Sequence, residues 1–161
     1  MTELKITYLL MVIFLDRSVG TLPRRIVVFH CRNLKLFTQN EQRDFLRSWP
    51  GVKLVAIPCS GKLEAHHLLK TLASGAEGLV VLACKQSACH YLEGALRSHK
   101  RFDYARLWLD KIGLDPGIIE FRHFKPMDRA GLEDLLNEFL LRLESSHSGG
   151  IPLKVSSAGF R

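Results

Sequence analysis

From residue 24 onward the chain alternates between two patterns of hydrophobic and polar positions. Arg25–His30 (RIVVFH) is a short uninterrupted run rich in β-branched residues, as expected of a strand buried on both faces. Val52–Ile57 (VKLVAI) and Gly78–Ala83 (GLVVLA) repeat it, and Ile118–Phe124 supplies a fourth strand. Between these runs the period becomes helical. Thr38-Gln-Asn-Glu41 has capping-box spacing and opens a helix carrying Phe45 and Leu46. Lys62–Ser74 turns Leu63, Leu68, Leu69 and Leu72 inward and closes at Gly75. A long helix is expected over His90–Ile112, with Tyr91, Ala95, Phe102, Ala105, Trp108 and Ile112 along one side, stopped by Gly113 and Asp115-Pro116. Asp128–Glu144 carries Leu132, Leu135, Leu136, Phe139, Leu140 and Leu143 as an apolar stripe.

Strands alternating with helices predict βαβ units and a parallel sheet. The expected architecture is α/β: a small flavodoxin- or Rossmann-like three-layer sandwich around a mainly parallel four-stranded sheet. The domain is expected to occupy residues 23–144, between an apolar N-terminal extension (1–22) and a Ser/Gly-rich C-terminal tail (145–161). Residues 6–15 (ITYLLMVIFL) carry no charge. A bilayer-spanning helix needs roughly 20 such residues, so no membrane span is expected. Glu3 and the lack of a small-residue cleavage site argue against a signal peptide.

Composition narrows the class. The 161 residues, 47% apolar and 24% charged, suit one folded domain and exclude a disordered chain, a collagen-like repeat and a disulfide miniprotein. The net charge of +7 favours an anionic partner without choosing one. Arg97, His99, Lys100, Arg101 and Arg106 form a basic stretch expected on the wet face of the long helix, where Tyr91, Tyr104 or Trp108 could anchor an acidic partner protein. Nucleic-acid binding is not expected, because neither an aromatic-studded sheet nor a reading helix is evident.

The candidate chemistry lies in the four cysteines, which in a reducing compartment are more often metal-binding or catalytic than disulfide-bonded. Cys31 follows the first predicted strand, Cys59 the second and Cys84 the third, with Cys89 after a short loop. All four therefore fall at or beyond the carboxyl ends of strands, the edge where ligands bind in open α/β sheets. With the second, first and third predicted strands adjacent in that order, the four sulfurs would converge. Four thiolates suit zinc or an iron–sulfur cluster. Paired zinc knuckles are absent, whereas the Cys84-x4-Cys89 spacing also occurs in loops around [2Fe–2S] clusters. Beside these stand three other features. His90 follows Cys89 and is placed to contact backbone or a cluster sulfur; His66 and His67 are expected to face solvent or packing; Ser60-Gly-Lys62 is expected to cap a helix rather than bind phosphate, lacking Walker spacing.

Ile57-Pro-Cys-Ser-Gly-Lys62, the stretch Leu69–Cys84 and Cys89-His-Tyr-Leu-Glu-Gly94, continued by Arg101 and Leu107–Gly113, resemble the delta (iron–sulfur) subunit family of methyl-viologen-reducing hydrogenase, over residues 25–144. The resemblance implies a cytoplasmic electron-transfer subunit, not itself catalytic. It would hold a [2Fe–2S] cluster on Cys31, Cys59, Cys84 and Cys89, in a complex with a heterodisulfide-reductase A-like flavin/iron–sulfur subunit. The family's usual C-x2-C at the first strand is here Cys31 with Leu34, and its Gly-Cys-His loop is Ala83-Cys84-Lys85. Two rival readings are a non-redox assembly scaffold, with zinc or no metal at the cysteines, and a thiol enzyme using Cys59 ahead of a helix.

Overall fold

Four short strands form the centre of the computed structural model, which describes residues 24–147. They are β1 (Ile26–Cys31), β2 (Val52–Ile57), β3 (Gly78–Cys84) and β4 (Ile119–Phe124). Their order across the sheet is β2-β1-β3-β4 and every pairing is parallel. β1 and β3 are buried along their whole length, as the unbroken apolar runs require, whereas β4 at the edge exposes Arg122 and His123.

Each connection carries a helix: α1 (Gln39–Ser48), α2 (Ala65–Ala73) and α3 (Gly94–Lys111), with α4 (Arg129–His147) after β4. One core layer joins Ile26, Val28, Val80 and Leu82 to Phe45 of α1 and to Leu132, Leu136 and Phe139 of α4. The other joins Val27, Phe29, Leu79 and Val81 to Leu68 of α2 and to Phe102, Ala105 and Leu109 of α3. The strands' period of two thus feeds two helical layers, completing the three-layer α/β sandwich expected.

Several boundaries differ from expectation. The long helix begins at Gly94 rather than His90, because residues 86–88 form a separate 3-10 turn and Leu92 adopts a left-handed conformation (φ 54°) that a helix cannot include. Its buried side consists of Ala95, Ser98, Phe102, Ala105 and Leu109, leaving Tyr91, Trp108 and Ile112 exposed. Small residues let α3 lie close on the sheet, and Leu109 takes the inner place expected for Trp108. The second helix begins only at Ala65, behind a 3-10 turn over Ser60–Lys62. The last helix runs three residues beyond Glu144, into the segment expected to be tail. The extension 1–22 and the tail beyond residue 147 lie outside the described residues. Among the described residues no helix is long and apolar enough to cross a membrane.

Candidate metal centre

β1 and β3 lie side by side, yet the chain leaves them in opposite directions across the sheet, β1 toward β2 and β3 toward β4. Loops diverge at such a switch point and open a crevice at the carboxyl edge. Cys31 ends β1 and Cys84 ends β3, so one sulfur stands on each side of this crevice, with the two Sγ atoms 3.4 Å apart. Both residues are buried.

The other two cysteines come from flanking loops. Cys59 caps the 3-10 turn Ser60–Lys62, where its sulfur accepts the Gly61 amide hydrogen at 3.4 Å. Cys89 closes the 3-10 turn Gln86–Ala88. Both sulfurs press on the start of α3. A methyl group added to Gly94 would lie 2.5 Å from the Cys59 sulfur and 3.3 Å from that of Cys89. Only glycine leaves room there. Gly94 in turn touches Gly61, whose own added methyl would sit 2.8 Å from the Gly94 Cα. Arg101 of α3 fastens the Cys59 loop, donating to the Gly61 carbonyl at 2.5 Å and pairing with Glu64 at 2.8 Å.

The four cysteines line one cavity of about 300 Å³, with Arg32 and Lys35 at its edge. None of the four is in a disulfide. Burial, joined by the neighbouring Cys84 and opposed by the Asn33 and Ser60 amides, pushes the Cys31 thiol up to about 11. Burial also raises the Cys59 thiol, as do the sulfurs of Cys89 and Cys84. A nucleophilic cysteine needs the opposite shift and an adjacent base. Cys59 instead has an amide donor and two other sulfurs around it, which argues against the thiol-enzyme reading.

The donor chemistry suits a metal cofactor of the iron–sulfur type. The sulfurs stand as two pairs, Cys31 with Cys84 and Cys59 with Cys89, around a shared cavity. Among the described residues no three His, Cys, Asp or Glu side chains gather tightly enough to hold a single ion. The Gly61 amide donates to the Cys59 sulfur, and the cations Arg32 and Lys35 stand nearby. Amide dipoles and positive charge both favour the anionic character of a thiolate-bound cluster.

Other sequence candidates fall in different places. His90 lies exposed on the cavity wall, edge-on to Tyr91. His67 is buried, and its Nδ1 accepts the Glu64 amide hydrogen at the start of α2, whereas His66 is exposed. Leu34, at the position of the family's further cysteine, is 1% exposed and packs in the core rather than lining the cavity. Sequence reasoning missed three contributors. Asn33 bridges two loops of the site, Gly94 makes room for two sulfurs, and His123 of β4 donates from Nδ1 to the Cys84 carbonyl at 2.9 Å. Gly94 was visible as the end of the Cys89–Gly94 motif, but its purpose depends on a contact with Cys59 that no local pattern discloses.

Comparison with known proteins agrees with this site. Residues 26–145 match the family described as methyl-viologen-reducing hydrogenase, delta subunit. The chain is 30% identical over 90 residues to the iron-sulfur subunit of the F420-non-reducing hydrogenase of Archaeoglobus profundus, covering 56% of this chain and 66% of that one. It is 28% identical over 103 residues to the vhu iron-sulfur subunit of the F420-non-reducing hydrogenase of Methanocaldococcus jannaschii, covering 64% and 75%. It is also 27% identical over 103 residues to one chain of the ferredoxin:CoB-CoM heterodisulfide reductase of Methanosarcina mazei, covering 64% of this chain but only 13% of that longer protein. With the fold, the cysteine edge and a family match over nearly all the described residues, the chain belongs to the methyl-viologen-reducing hydrogenase delta subunit family.

Proposed function

We propose that this chain is an electron-transfer subunit of a multi-subunit oxidoreductase, in which Cys31, Cys59, Cys84 and Cys89 hold a [2Fe–2S] cluster. The observation that carries the reading is the two pairs of thiols lining one cavity at the switch-point edge. Relatives named as iron–sulfur subunits support it. A cluster held there supplies one-electron redox chemistry. The chain's own part is to hold four sulfurs, donate amide hydrogens to them and bury most of their surface. It makes and breaks no substrate bond.

The partner in this reading is a heterodisulfide-reductase A-like flavin/iron–sulfur subunit, whose docking face starts at the cavity mouth. Seven of the nine large apolar side chains exposed among the described residues fall between Tyr91 and Ile112. They run from the wall of the cavity along the outward half of α3, interspersed with Lys100, Arg106 and Lys111, with Arg97 paired to Glu93, and with the fewer carboxylates Asp103 and Asp110. An exposed apolar stripe rimmed by cations fits a protein surface with apolar centre and acidic rim. A partner seated there would cover the mouth, shortening the path for an electron.

Anaerobic purification with iron and acid-labile sulfide assays tests the reading. The expected result is about two of each per chain and an electron paramagnetic resonance signal on reduction. Cys84→Ser should lose the cluster and stop electron transfer through the complex. A colourless, iron-free protein sinks the proposal. Undiminished transfer by Cys84→Ser would instead support the assembly scaffold.

A further inference from the structure

Asn33 stands in the loop after β1, exposed to solvent and outside any sequence motif. Its side-chain nitrogen lies 3.2 Å from the Ala88 carbonyl oxygen and 3.7 Å from the Cys84 sulfur. A carbonyl oxygen can only accept, so the edge of the side chain facing Ala88 is its NH2 group. That group has two hydrogens, and the two acceptors take one each. One exposed side chain therefore donates to the Cys84 sulfur and ties the β1 loop to the loop between Cys84 and Cys89.

We propose that Asn33 is a positioning residue of the cluster site, whose side-chain amide raises the reduction potential and clamps the Cys84–Cys89 loop closed over the cavity. The inference rests on the cluster reading above. Reduction adds negative charge that the thiolates share, and an N–H aimed at a sulfur stabilises the reduced form more than the oxidised form. The bond to Ala88 holds the loop that delivers Cys89, so losing it should also speed the escape of iron.

Three proteins decide the matter: wild type, Asn33→Ala, and Asn33→Asp, which keeps the shape but replaces the donor with a carboxylate. Because residue 33 is exposed, both variants should fold with unchanged far-ultraviolet circular dichroism. Redox titration followed by electron paramagnetic resonance should give a lower midpoint for Asn33→Ala and a lower one still for Asn33→Asp. Loss of iron to a chelator should be about tenfold faster in both. Should Asn33→Ala fold yet retain no cluster, the clamp is upheld, and the Asp variant carries the potential measurement. Wild-type midpoints in both variants would overturn the inference and leave the cluster reading standing. A wild-type chain that takes up no iron and sulfide overturns both.

Discussion

Gly94 shows how a single hydrogen atom in place of a methyl group makes the site. The Cys59 and Cys89 sulfurs occupy the space beside it, and an added Cβ would collide with the first at 2.5 Å. Gly94→Ala should therefore force one sulfur aside and abolish cluster retention, at an overpacking cost of about 1–3 kcal/mol in stability. Iron content together with a thermal melt checks it; a variant that retains a full cluster would show that the contact is not limiting. The meeting of the four cysteines at one cavity was legible, because they fall at predicted strand ends and need only the sheet order to bring them together. The residues that shape the site were not. Asn33, Gly94 and His123 act on cysteines 51, 35 and 39 positions away in the chain, and such distant contacts leave no local periodicity. Leu34 carries a related lesson. Its place in the core shows that, in this chain, the position of the family's extra cysteine belongs to packing and not to the cavity.

Among the elements, the strands and the helix start at Thr38 were the most legible, because their signals are local. The Thr38 box is present in full: the side chain of Glu41 accepts the Thr38 amide hydrogen at 2.8 Å while Thr38 caps the Glu41 amide. Thr38→Ala should cost about 1 kcal/mol, read by chemical denaturation. The same box has a pH signature. Hydrogen bonds from the Thr38 amide and hydroxyl, together with Arg129, hold the Glu41 carboxyl below its ordinary value. A depressed carboxyl contributes its stability above about 4.5, its ordinary value, and loses it as pH falls from there through the folded-state value. The stability gap between wild type and Glu41→Gln should accordingly narrow in that acid range, and a gap that stays constant with pH would refute the assignment. The long helix was less legible. Its buried side is built from alanines, a serine, Phe102 and Leu109, so the larger aromatics nearby suggest the wrong face.

At the scale of the whole molecule, the described domain has two regions of unequal character. The interior of the sandwich is closed by apolar residues on both sides of the sheet, while the outer half of α3 leaves Tyr104, Leu107, Trp108 and Ile112 in solvent. That imbalance is the physical reason to expect a partner. Trp108→Glu should leave iron content and the redox midpoint unchanged while weakening association with the flavin/iron–sulfur partner by about tenfold or more, measured by co-purification or calorimetry. Unaltered association would move the docking face elsewhere. The proposed partner was suggested only through resemblance; net charge described a preference for anions and no more.

The distribution of sulfurs over three loops has a consequence for how the protein is made. Cys31, Cys59, Cys84 and Cys89 are separated by two crossover helices and become neighbours only when β2, β1 and β3 are laid side by side. A nascent chain emerging from the ribosome can present isolated thiols, but no receptacle, until Cys89 has been synthesised and the three strands have paired. In the proposed reading maturation therefore follows folding, and whatever delivers iron and sulfide would enter by the open mouth of a finished sheet. Once seated, the inorganic group would bind together three loops from distant stretches of sequence, as a keystone holds courses of masonry that had to be raised before it.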